Sequence, residues 1–112
     1  MLLVQDLLEK LPITLLAGKK GLSKEVTGCY IGDLLSWVMG RASEGDVWLT
    51  VMGNINAVAV STLAGISCII LTEGASLDEN AKLKADQQGV VVCSAEENSF
   101  NLTMKIAALL KR

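Results

Sequence analysis

Three short apolar runs punctuate the second half of the chain, and each stops at a polar turn. Val47–Met52 breaks at Gly53-Asn54, Ile66–Leu71 ends at Thr72-Glu73-Gly74, and Val90–Cys93 ends at Ser94-Ala95-Glu96. A stretch able to form a helix follows each break. Strands without polar alternation are those buried on both faces. Such strands alternating with helices predict an α/β fold of three layers, α/β/α, around a mostly parallel sheet. Ligands of such sheets bind beyond the carboxyl ends of the strands, so the expected functional edge lies at these three turns.

The first half follows the same logic less regularly. Val4, Leu7, Leu8 and Leu11 keep the i, i+3, i+4, i+7 spacing of an amphipathic helix. Pro12 ends it, because proline disfavours the helical region for the residue before it. Ile13–Leu16 and Val26–Ile31 read as strands separated by the turn Gly18-Lys19-Lys20-Gly21, and the two can pair as an N-terminal hairpin or flap. Asp33 is placed to cap a helix over Leu34–Met39.

Asn54 is placed to cap a helix over Ile55–Ala64 that stops at Gly65 and, being almost wholly small and apolar, is expected to be buried. Ser76-Leu77-Asp78-Glu79 has the capping-box spacing and opens a helix running to about Gln88, with Leu77, Ala81 and Ala85 inward. Asn98 or Ser99 caps a last helix in which Phe100, Met104, Ala107 and Ala108 share a face. No linker or low-complexity segment divides residues 1–112, so one domain is expected.

Composition narrows the function classes. Ten basic and twelve acidic residues give a net charge of −2 with no long basic run, so nucleic-acid binding lacks its electrostatic footprint. The N-terminus has no basic region of the signal-peptide kind, and Ala57–Leu71 is too interrupted to span a bilayer. Cys29, Cys68 and Cys93 match no zinc spacing; three widely spaced thiols predict reduced cysteines and a cytoplasmic protein. Half of the residues are hydrophobic, at 51%, which in so small a chain predicts a subunit interface. Trp37, should it be exposed near Met39, would mark one.

Candidate chemistry is sparse. There is no histidine, the commonest general base near neutral pH. No phosphate-cradling Gly-rich lysine loop, dinucleotide fingerprint or nucleophile elbow is present. What remains are the strand ends. Thr50, Gly53, Asn54 and Asn56 precede a helix start, where free N–H groups attract anions, although a plain turn and cap is the somewhat better explanation of Gly53 and Asn54. Thr72, Glu73 and Gly74 form the second end, where glycine permits close backbone approach. Glu73 would repel a phosphate unless a cation intervened. Glu96 and Glu97, at the third end, complement the dipole of the helix that follows.

Tyr30-Ile31-Gly32-Asp33-Leu34-Leu35-Ser36, then Val47-Trp48-Leu49-Thr50, Gly53-Asn54 and Ile69-Ile70-Leu71-Thr72-Glu73-Gly74, taken in order, resemble a small stand-alone member of the DRTGG-domain family. The resemblance runs from about Leu2 to Leu110. It implies a fold similar to the N-terminal domain of HPr kinase/phosphorylase. It also implies a regulatory or assembly module, found elsewhere beside CBS domains and inside some phosphotransacetylases. Stand-alone members similar to this chain are found in anaerobic bacteria, sometimes near iron-hydrogenase components. Two departures stand out: Gly53-Asn54-Ile55 replaces the family's Gly-Asp-Arg, and Thr72-Glu73-Gly74 replaces Thr-Gly-Gly. The first removes a charge pair able to clamp an anion.

The sequence therefore predicts a non-enzymatic regulatory or assembly domain without cofactor or metal. It would act as a homodimer or larger homo-oligomer, with no nucleic acid or membrane partner. A phosphorylated or nucleotide ligand would be sensed at Thr50, Gly53, Asn54, Thr72, Glu73 and Gly74. The alternatives are an interaction subunit of a hydrogenase-associated redox or kinase system, and a small Mg²⁺-dependent phosphoryl-transfer enzyme using Glu73 and Glu96.

Overall fold

The computed structural model describes residues 1–111. The chain runs α1 (Val4–Lys10), β1 (Ile13–Ala17), a single 3₁₀ turn (Lys19–Gly21), β2 (Gly28–Ile31), α2 (Leu35–Arg41), β3 (Asp46–Thr50), α3 (Ile55–Ala64), β4 (Cys68–Leu71), α4 (Glu79–Gln88), β5 (Val92–Ala95) and α5 (Ser99–Leu110). The five strands form one sheet in the order β1-β5-β4-β3-β2. The pairs β2–β3, β3–β4 and β4–β5 are parallel, and only β1, at the edge beside β5, is antiparallel. This is the expected three-layer, mostly parallel architecture.

The layers follow from strand alternation. Val47, Leu49, Cys68, Ile70 and Cys93 point to one face, where they pack with Val4 and Leu7 of α1 and Leu102 and Ile106 of α5. Trp48, Ile69, Leu71 and Val92 point to the other, against Val38 of α2, Val58 of α3 and Ala81 and Ala85 of α4. From β2 to β5 the chain steps across the sheet in one direction. Crossovers of constant hand then leave α2, α3 and α4 on one face. β3 and β4 are buried along their whole length, which is why they carry no polar alternation. Trp48 is fully buried, and its indole Nε1–H donates to the Gly32 carbonyl at 2.8 Å, which satisfies its one polar atom.

Several expectations change. No N-terminal hairpin forms: β1 and β2 lie on opposite edges of the sheet, three strands apart. The turn after β1 is anchored elsewhere. Gly18 adopts a left-handed conformation, sits against the backbone of Val90, and donates its N–H to Asp86 Oδ1 at 2.8 Å. The chain thus docks on α4 and crosses beneath the sheet instead of reversing. Asp33 does not cap α2; Leu34 occupies that position, and α2 begins at Leu35. The capping box at Ser76 gives way to an N-cap at Asp78.

Helix faces also shift. α3 buries Ala57, Val58, Val60 and Ser61 but leaves Leu63 exposed, so it is covered on one side only. In α5 the inward residues are Leu102 and Ile106, whereas Phe100 and Met104 face outward. Leu102, Ile106, Leu109 and Leu110 keep the i, i+4, i+7, i+8 spacing and form the stripe that packs on the core, beside the Phe100–Met104 stripe that faces outward.

Candidate functional site

Because β2 to β5 are parallel, their carboxyl ends gather on one rim, and the polar turns identified from the sequence gather with them. At the β2–β3 end, Asp33 is the organising residue. Its Oδ1 accepts from the Thr50 hydroxyl at 2.7 Å and from the Val51 N–H at 3.0 Å. Thr50 Oγ1 in turn accepts from the Met52 N–H at 3.2 Å. Thr50 is therefore buried with its hydroxyl engaged inside the protein. Asn54 caps α3, its Oδ1 accepting from the Ala57 N–H at 2.9 Å. Gly53 is a packing glycine: a Cβ there would collide with the Ser76 carbonyl oxygen, and the Gly53 carbonyl accepts from the Asp78 N–H at 2.8 Å.

At the β4 end the chain makes a tight turn. Glu73 and Gly74 both have positive φ, 57° and 69°, and the Ala75 N–H donates to the Thr72 carbonyl at 3.1 Å. Two successive left-handed residues closing such a bond make a type I′ turn, which favours glycine or asparagine at both positions. Glutamate at the first is held there by its surroundings. The Glu73 N–H donates to the Glu97 carbonyl and the Gly74 N–H to the Ala95 carbonyl, each at 2.9 Å. These bonds lock the turn to the start of the segment after β5. Thr72 is buried, with its Oγ1 accepting from the Ser99 hydroxyl at 3.4 Å, so its side chain also faces inward.

Beside this turn the rim opens into a cleft of about 270 Å³. Gly74, Ala75, Ser76 and Leu77 form one wall, Leu16 and Ser94 the sheet side, and Lys82 and Glu96 the charged edge. Lys82 lies 3.3 Å from Asp86, and Glu97 lies 2.9 Å from Lys105, so the nearby cations are already paired. The Gly18 N–H, helped by Lys82, holds the Asp86 carboxyl below its ordinary range. With Glu73 and Glu96 exposed at its border, the rim is acidic overall.

Of the six residues expected from the sequence to meet a ligand, all lie on this rim, but they divide. Gly74 lines the cleft and Glu73 borders it. Thr50, Gly53, Asn54 and Thr72 shape the rim from within through internal bonds and packing. Leu16 and Lys82 carry no motif that marks them, and Leu16 comes to the cleft only because β1 pairs with β5; Ser76 stands out in the sequence as the opening of a capping box and Ser94 as the turn after the third apolar run, neither as a ligand contact. Asp33 was noticed for capping; its position just past a strand end was the available signal for its bonds to the neighbouring strand. Among the described residues, no group of three or more acidic or cysteine side chains is arranged to hold a metal ion, and no helix is long and apolar enough to cross a membrane.

Comparison with solved structures places this fold beside the CBS and DRTGG domains of the regulatory region of Clostridium perfringens pyrophosphatase, crystallised with its activator, diadenosine tetraphosphate. The TM-score is 0.68 at 15% identity, over 92% of this chain and 45% of that one, so the chain spans less than half the length of its neighbour. No curated protein matched the sequence. The DRTGG-domain family model, however, matches residues 6–109, and the chain belongs to the DRTGG-domain family.

Proposed function

We propose that this chain is a non-catalytic regulatory domain that senses a nucleotide or similar phosphorylated small molecule in the rim cleft. The observation that carries this reading is the cleft itself. It opens at the carboxyl ends of parallel strands, and its wall is a turn in which a glutamate is held in a left-handed conformation. Strain of that kind, costing on the order of 1–3 kcal/mol, is tolerated where surrounding contacts over-determine it, and it concentrates at switch and ligand sites. The pyrophosphatase neighbour, which holds a nucleotide activator in a region containing a domain of this family, supports the ligand class.

Electrostatics set a condition. The rim is acidic and its nearby lysines are paired, so a polyphosphate approaches with a divalent cation that its own phosphates hold. Binding would act by favouring one packing of the Thr72–Ala75 turn over another, which requires different affinity for the two states. Calorimetric titration with ATP and with diadenosine tetraphosphate tests this. Saturable heat in the presence of Mg²⁺, lost in Ser76→Trp, which fills the cleft mouth, is the expected result. Absence of heat with both nucleotides contradicts it.

A second reading, assembly, has its own observation. Trp37 is 52% exposed and Leu34 58% exposed, with the Arg41 guanidinium stacked 3.7 Å from the Trp37 ring. Tryptophan and arginine are the side chains most often found as interface anchors. The partner would be a second copy, or an enzyme subunit of a redox or kinase system, in the reducing cytoplasm that three free thiols suit. Sedimentation velocity of the wild type against Trp37→Glu tests it: a dimer that becomes a monomer supports self-assembly, and an unchanged monomer removes it.

A further inference from the structure

A second and larger cleft lies at the opposite end of the sheet from the rim, beneath the amino ends of the strands. It measures about 580 Å³, within the range of roughly 300–1,000 Å³ usual for small-molecule sites. Its floor is apolar, formed by Ile66 and Val90, and its walls carry Lys24, Glu25, Glu44 and Ser61. Helices α3 and α4 both finish here, at Gly65 and Gly89, each in the left-handed conformation that closes a helix.

Two independent features of this cleft point to the chemistry of an occupant. The first is charge. The carboxyl ends of the two helices each contribute about half a negative charge, and with Glu25 and Glu44 set against Lys24 the cleft holds about two net negative charges. The chain already answers that field once: the Lys24 ammonium donates to the Gly89 carbonyl at 2.9 Å. The second is Ser61. It is 1% exposed, and among the described residues its Oγ has no hydrogen-bond partner. A serine inside a helix can satisfy itself on the carbonyl four residues back. Ser61 instead leaves a buried hydroxyl unpaired among the residues that line the cleft.

We propose that this lower cleft binds a short aliphatic amine of the diamine or polyamine class. Its ammonium groups are received by Glu25, Glu44, the Ser61 hydroxyl and the helix carboxyl ends, and its carbon chain lies on Ile66 and Val90. An anion is repelled by the same field, and a neutral polyol gains nothing from it. The site is separate from the rim, so the two stand or fall independently.

The test is a titration of ¹⁵N-labelled protein with 1,4-diaminobutane and with spermidine, followed by amide chemical shifts at about 0.15 M salt to screen loose surface charge. Succinate and 1,4-butanediol serve as anionic and neutral controls. Saturable shifts at Gly45, Gly65 and Ser67 with the amines alone are expected. Glu44→Gln, at an exposed position, should weaken binding about tenfold. Ser61→Ala should weaken it several-fold while leaving the urea midpoint unchanged or higher, because an unpaired buried hydroxyl is removed. Equal shifts along the acidic rim at Glu73 and Glu96 would mean diffuse counter-ion binding and overturn the proposal. So would equal shifts with butanediol, no shift at all, or a Glu44→Gln variant that binds as well as the wild type.

Discussion

Glu73 shows how one side chain can be held against its own preference. A left-handed glutamate costs energy that glycine does not, and two backbone hydrogen bonds around the turn keep it in place. Glu73→Gly should therefore stabilise the protein by about 1 kcal/mol, read from the urea midpoint; a loss of stability would mean the glutamate side chain contributes something the backbone account omits. Asp33 is the converse case, a side chain whose loss leaves others unsatisfied. Asp33→Ala strands the buried Thr50 hydroxyl and the Val51 N–H and should cost about 2–3 kcal/mol, whereas Asp33→Asn, which keeps the acceptor oxygen, should cost less. The thiols are quiet. Burial, with the Asp46 charge nearby, pushes the Cys29 pKa up to about 11, and Cys68, 3.9 Å from Cys93 in the core, is also shifted upward. Native protein at neutral pH should therefore react with a thiol reagent more slowly than denatured protein; rapid labelling of the half-buried Cys29 would contradict its raised pKa.

Among the elements, α4 is tied to the sheet edge through one carboxylate. The Gly18 N–H bond to Asp86 favours the ionised form, so the folded-state pKa lies below the ordinary value of 3.8. Its stabilisation is present at neutral pH and is lost as pH falls through that depressed value, below about pH 4. The stability gap between wild type and Asp86→Asn, measured by urea at successive pH values, should narrow from pH 6 to pH 2; a constant gap would assign the effect elsewhere. The elements also show what the sequence could carry. β3, β4 and β5 were legible because double-sided burial writes itself as an unbroken apolar run. The partner of β1 was not legible, because Ile13–Ala17 fits an edge beside any strand and its pairing is decided by the distant docking of Gly18 on α4. The inward face of α5 was legible too, because Leu102, Ile106, Leu109 and Leu110 keep the i, i+4, i+7, i+8 spacing; the Phe100–Met104 stripe expected instead is shorter and faces outward.

For the molecule as a whole, the parallel strands decide where function can sit. Their common direction brought all six expected residues to one rim, as the pattern of turns implied. What the pattern could not convey is that Thr50, Gly53, Asn54 and Thr72 are taken up by internal bonds and packing, while Leu16 and Lys82, which carry no motif, complete the cleft with Gly74, Ser76 and Ser94. The same geometry makes the two ends of the sheet different: helix starts and a strained turn at one, helix ends and a buried, unpaired serine hydroxyl at the other. We propose the carboxyl rim as the regulatory end for nucleotide ligands, and amide chemical-shift mapping with Mg²⁺ and diadenosine tetraphosphate decides it. Saturable shifts are expected at Gly74, Ala75, Ser76 and Ser94 with Gly45 and Gly65 unmoved; shifts confined to the opposite end, or none on either, would contradict the proposal.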